Sequence, residues 1–83
     1  MKNRKVLLRL RSLLDQGYPK GRSSFYEDIR AGLFPKGVAI GARARAWPSD
    51  EVDAVRDARI AGKSDDDIRA LVKKLEAARK LIT

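Results

Sequence analysis

The sequence predicts a mainly α fold with one small β-hairpin, on three observations. Apolar residues recur at helical spacing in four stretches, glycines and prolines separate those stretches, and residues 34–47 resist a helix. This last segment reads Phe-Pro-Lys-Gly-Val-Ala-Ile-Gly-Ala-Arg-Ala-Arg-Ala-Trp. Pro35 drives Phe34 out of the α region, and Val38 and Ile40 alternate with Gly37 and Ala39 as a half-buried strand does. Gly41-Ala42 offers a two-residue turn of the Gly-first kind, with Ala44 to Trp47 as the return strand and Pro48 closing it. Arg43 and Arg45 leave the tip and the return strand. A two-residue turn sets them on the face of Val38 and Ile40, and a turn one residue longer reverses this.

In chain order, Met1 to Lys5 is a basic tail suited to lying along a phosphate backbone. Val6, Leu7, Leu10, Leu13 and Leu14 then give a first helix, interleaved with Arg9 and Arg11. The stretch Lys5 to Leu10 equally suits a short strand that hands over to a helix near Arg11. Gly17, Pro19 and Gly21 make Asp15 to Arg22 a loop. Ser23 and Ser24 offer N-caps, and Ser24 with Glu27 has the form of a capping box, so a second helix runs to about Ala31 with Gly32 as its C′ residue. Phe25, Ile29 and Leu33 face its core side, leaving Ser23, Tyr26, Glu27 and Arg30 elsewhere.

Ser49-Asp50-Glu51 is expected to cap and charge the start of a third helix, with Val52, Val55 and Ala58 or Arg59 inward and Gly62 closing it. A fourth starts at Ser64, its aspartates 65 to 67 set against the positive end of the helix dipole. Those aspartates lack the alternating acids, central glycine and distal glutamate of a calcium loop, so no metal or other cofactor is expected. Ile68, Leu71, Val72, Leu75, Ala78 and Ile82 form an apolar stripe on this helix. Ile68, Leu75 and Ile82 recur every seven residues with Leu71 and Ala78 between them, so the stripe either packs on its own domain or forms a homodimer seam.

At 83 residues the chain is one domain, too small to enclose a buried active site comfortably. It has no cysteine and no histidine, which removes thiolate nucleophiles, imidazole bases and the usual zinc ligands, so no enzyme is expected. Arg9, Arg11 and Ser12 interrupt the apolar run from Val6 to Leu14, so neither a membrane helix nor a signal peptide is expected, and a cytoplasmic, nucleoid-associated protein is. The formal net charge of +8 lies wholly before Ser49. Residues 1–48 carry 11 Lys or Arg against 3 acids, whereas residues 49–83 carry 8 of each. A phosphate-facing half joined to a neutral scaffold half would be charged this way.

Two helices about a glycine-containing turn, followed by a basic hairpin, give a winged helix-turn-helix in residues 1–62. An added C-terminal amphipathic helix, residues 63–83, belongs to the same compact unit. Arg-Ser-Ser-Phe-Tyr (22–26), Gly-Leu-Phe-Pro-Lys (32–36), Val38, Ile40-Gly41, Arg43, Trp47 and Ser-Asp-Glu-Val-Asp (49–53) together resemble the AlpA family of phage-type regulators. That family is related to the MerR-like winged-helix domain and to small excisionases. The resemblance implies that the second helix reads the major groove of double-stranded DNA while the hairpin meets the flanking backbone or minor groove. Carried over by position, the DNA-binding candidates are Arg22, Ser23, Ser24 and Tyr26, then Arg30, with Arg43 and Arg45 in the wing and Trp47 as packing. The turn from Gly17 to Gly21 is longer than the family's usual turn, and Glu27 stands where members often carry a basic residue. The expected role is regulation of transcription in a phage, prophage or mobile element. The alternatives are a directionality factor for excision, a protein-interaction module using the last helix, and a small RNA-binding protein.

Overall fold

In the computed structural model, which describes residues 6–15 and 22–79, the chain is mainly helical around a small antiparallel sheet. The elements are β1 (Leu7–Leu8), α1 (Leu10–Asp15), α2 (Arg22–Arg30), β2 (Val38–Ala39), β3 (Arg45–Pro48), α3 (Ser49–Ile60) and α4 (Asp65–Ala78). This is a winged helix-turn-helix arrangement with an added C-terminal helix. The basic tail, the glycine-rich turn between α1 and α2, and Ile82 lie outside the described residues.

The sheet has the order β1-β3-β2, so the expected hairpin gains a third strand from the start of the chain. Of the two readings of Lys5 to Leu10, the strand handing over to a helix holds. Leu7 pairs with Pro48 and Leu8 with Trp47, and Ser49 ties the edge by donating its N–H to the Val6 carbonyl (2.7 Å) and accepting from the Val6 N–H at its Oγ (3.0 Å). Ser49 is thus not a helix cap. Pro48 occupies the N-cap position of α3 without a side-chain hydrogen bond, and the hydroxyl is spent on the strand instead.

The core is built around aromatics. Phe25 and Trp47 are among the largest fully buried side chains, their rings 5.2 Å apart edge to face, and Phe34 sits 5.1 Å from Phe25. Edge-to-face pairs of this kind add about 0.5–1.5 kcal/mol beyond the area they bury. The Trp47 indole N–H donates to the Pro35 carbonyl at 2.9 Å, which satisfies a polar group that would otherwise be orphaned in the core. Leu13, Val52, Val55, Ile68 and Val72 complete the cluster, with Ile29, Leu33, Ala58, Leu71 and Leu75 packed against it.

Helix ends explain themselves locally. Gly32 (φ 79°) and Gly62 (φ 80°) are left-handed C′ residues closing α2 and α3. Each end carries the paired Schellman bonds, Gly32 to Ile29 and Leu33 to Asp28 in one, Gly62 to Arg59 and Lys63 to Ala58 in the other. Ser64 caps α4 as expected, its hydroxyl accepting from the Asp67 N–H at 3.1 Å. The capping box expected at Ser24 and Glu27 does not form. α2 already starts at Arg22, which places Ser24 inside the first turn.

The stripe of α4 is spent largely on its own domain. Ile68 has 0% exposure and Val72 3%, while Leu71 and Leu75 pack on the same core and Ala78 is exposed. A dimer seam cannot use Ile68 as the sequence pattern suggests, because that side chain has no surface left to offer. Two α4 side chains and the Arg79 that follows the helix also grip the segment between α2 and β2. Arg69 Nε donates to the Ala31 carbonyl (2.9 Å), Glu76 accepts from the Lys36 N–H (2.8 Å), and Arg79 donates to the Lys36 carbonyl (2.8 Å).

Candidate nucleic-acid interface

The exposed face of α2 is set by what the helix buries. Phe25 and Asp28 point inward and Ile29 is half-buried, so Arg22, Ser23, Tyr26, Glu27 and Arg30 are left outside. Arg22, Tyr26 and Arg30 are spaced by four, forming one stripe along a nine-residue helix about 13 Å long. Ser24 is half-buried and turned away from the middle of this face. Tyr26 is 42% exposed, and its ring meets Phe25 edge to face at 5.5 Å.

The wing differs from the two-residue turn. Val38 pairs with Ala46, Ala39 with Arg45, and the Ile40 N–H donates to the Ala44 carbonyl at 2.9 Å, which leaves a three-residue loop of Gly41, Ala42 and Arg43. A Gly-first turn needs Gly41 at positive φ, and among the described residues only Gly32 and Gly62 take it. The longer turn reverses the register. Arg45 therefore shares a face with Ala39, away from Val38, and Arg43 stands at the tip. Gly37 sits opposite Trp47, where a Cβ would lie 3.0 Å from Trp47 Cζ2 and 3.0 Å from Arg45 Cβ, so the hairpin closes over the indole only without a side chain there.

This register brings the wing to the first helix. An open groove of about 230 Å³ is lined by Arg9, Arg11, Tyr26, Arg43, Arg45 and Trp47. Four arginines and a tyrosine thus line it from the β1–α1 junction, α2 and the hairpin, and no carboxylate is among the lining residues. Of the expected contact residues, Tyr26, Arg43 and Arg45 meet here, whereas Arg22, Ser23, Ser24 and Arg30 lie along α2 outside the groove. Arg9 and Arg11 were not among the expected contacts. Their signal was their position off the apolar stripe, obscured because the chain passes from strand to helix between them.

Charge pairing separates these arginines from the others. Arg56 pairs with Asp53 (3.3 Å), Arg59 with Asp65 (3.5 Å), Arg69 with Asp66 (3.1 Å) and Arg79 with Glu51 (2.6 Å). Among the described residues, no carboxylate pairs with Arg9, Arg11, Arg22, Arg30, Arg43 or Arg45. The Arg79 to Glu51 bridge is two-pronged, Nε to Oε2 at 3.0 Å and a terminal nitrogen to Oε1 at 2.6 Å, with the Glu51 side chain 7% exposed. The hydrogen bond that Arg79 donates to Glu51 raises the Arg79 pKa above its ordinary value against the opposing effect of burial. The aspartates at the start of α4 do not gather about one point, since Asp65 and Asp66 are drawn to Arg59 and Arg69. No helix among the described residues is long and apolar enough to cross a membrane.

An uncharacterized protein of Enterobacteria phage P4, ORF88, is 48% identical over 42 residues, which cover 51% of this chain and 48% of that protein. The chain thus spans about half the length of the curated relative it matches. No solved structure matches it significantly. The family described as prophage CP4-57 regulatory protein (AlpA) matches residues 7–59, from β1 through α3 and so through every element that lines the arginine groove. The chain therefore belongs to the AlpA family of phage regulatory proteins.

Proposed function

We propose that the chain is a sequence-specific double-stranded DNA-binding protein that regulates transcription in a phage, prophage or mobile element. α2 enters the major groove, offering Arg22, Ser23, Tyr26 and Arg30 toward base edges and the phosphates at the groove's rim. Arg9, Arg11, Arg43 and Arg45 hold the flanking backbone. Contacts of the second kind position the protein and supply affinity without reading sequence, while the few on α2 choose the site. Glu27 lies on the same face and has no capping role, so it is available to accept from a cytosine amino group.

The meeting of four arginines from the β1–α1 junction and the hairpin, beside the exposed face of α2 and with no carboxylate among them, carries this reading. An unpaired guanidinium cluster is costly for a fold that does not use it, because like charges repel across a short distance. Phosphate relieves that repulsion.

Selection of bound duplexes from a random DNA pool tests the proposal. The expected result is enrichment of one short motif, and replacing Arg30 with alanine should shift that motif. A pool that enriches nothing would reject sequence-specific binding and favour a protein-interaction module.

A further inference from the structure

A second cleft, of about 300 Å³, opens at the carboxyl end of α2, where α4 crosses beneath the Ala31 to Lys36 segment. Its charged lining residues are Arg30, Lys36, Arg69, Lys73 and Glu76, four cations against one acid. Two of these are already engaged in holding the fold. Arg69 bonds the Ala31 carbonyl and Asp66, and Glu76 accepts the Lys36 N–H. The side chains of Arg30, Lys36 and Lys73 remain exposed, and among the described residues none has a carboxylate partner.

The position of this cleft says what it can hold. Arg30 ends the stripe that begins at Arg22 and passes through Tyr26, so a ligand lying along α2 reaches the cleft as it passes the last turn. The arginine groove engages the same helix through Tyr26, one turn earlier. Unpaired cations therefore flank the α2 face at its middle and at its last turn, so a sugar-phosphate backbone passing along the helix meets both. A protein partner would want an aromatic or aliphatic anchor, but the aromatic ring lining this cleft, Phe34, is 4% exposed.

Building on the DNA-binding reading, we propose that Lys36 and Lys73 bind the sugar-phosphate backbone at the carboxyl end of α2. The C-terminal helix is then part of the DNA interface as well as a prop for it. α4 begins at Asp65, beyond the segment that matches the family, so Lys73 lies outside that match while Lys36 lies within it.

The test is the Lys36→Ala/Lys73→Ala variant, titrated with the selected duplex over a range of salt concentrations. Both side chains are exposed, so the melting temperature should stay at the wild-type value. The plot of log K against log salt should become shallower by about 1.8, two phosphates at 0.9 each, while the enriched motif stays the same. Restoring charge with Lys73→Arg in the Lys36→Ala background should return half of the loss. A slope for the double variant equal to that of a wild type that binds duplex DNA would overturn this inference and leave the DNA-binding reading standing. An unchanged slope together with lost binding to polyglutamate would overturn it in favour of an acidic protein partner. A wild type with no salt-dependent affinity for duplex DNA would remove both.

Discussion

The arginines before Ser49 and those after it fold into opposite situations. After Ser49, Arg56, Arg59, Arg69 and Arg79 each meet a carboxylate, and two of them also donate to backbone carbonyls of the Ala31 to Lys36 segment. Before it, Arg9, Arg11, Arg22, Arg30, Arg43 and Arg45 meet none among the described residues. The same residue type meets a carboxylate in α3, in α4 and just after it, and stands as a free cation around the β1–α1 junction, on α2 and in the wing. Net charge alone does not distinguish the two uses, because pairing decides whether a cation remains available to an outside phosphate.

The largest expected effect follows from breaking a fastener. Arg79→Ala leaves Glu51 buried without its partner and frees the Lys36 carbonyl, so stability should fall by about 3 kcal/mol, the lower end for a broken buried pair because Arg79 is 22% exposed. Urea unfolding measures it. By contrast, Arg45→Ala should change stability by less than about 0.5 kcal/mol, as an exposed substitution without a partner does. If Arg45 rather than Arg79 proved the costly one, the division into fasteners and free cations would be wrong.

A second effect sharpens the role of α4. Leu75 packs against the core, so Leu75→Asp should lower the melting temperature of a monomer. Sedimentation at high micromolar concentration should give one chain's mass for the wild type, both free and on DNA. A wild-type dimer that Leu75→Asp dissociates, with its DNA-binding half still folded, would restore the homodimer seam through Leu71, Leu75 and Ala78.

Smaller still is the effect of the cap. Ser64→Ala removes the hydroxyl that accepts from Asp67, at a cost of about 1 kcal/mol, and should leave DNA affinity untouched.

Much of the fold was legible because local chemistry and tertiary packing agree. Gly32 and Gly62 announced two helix ends, Ser64 announced the start of the fourth helix, and Phe25 and Trp47 announced the core. Where a residue had two uses, sequence could not choose between them. Ser49 looks like a cap and is instead the partner of Val6, because β1 arrives from more than forty residues away to claim its hydroxyl. Ser24 looks like a cap and lies within the helix. The wing register turned on whether Gly41 takes positive φ, which composition leaves open. For the site, the basic half was visible as charge, but the convergence of Arg9 and Arg11 with Arg43 and Arg45 depends on β1 pairing with β3. No local pattern encodes that pairing.

The most direct measurement of the central claim is the salt dependence of duplex binding, compared between two sets of arginine variants. For the wild type, neutralising about four to six phosphates gives a slope of log K against log salt of roughly −3.6 to −5.4. Replacing the unpaired arginines Arg9, Arg11, Arg43 and Arg45 with alanine should flatten that slope by about 3.6, whereas replacing the paired Arg56 and Arg59 should leave it unchanged. Equal slopes for the wild type and the four-arginine variant, with both folded, would contradict the assignment of this groove to DNA.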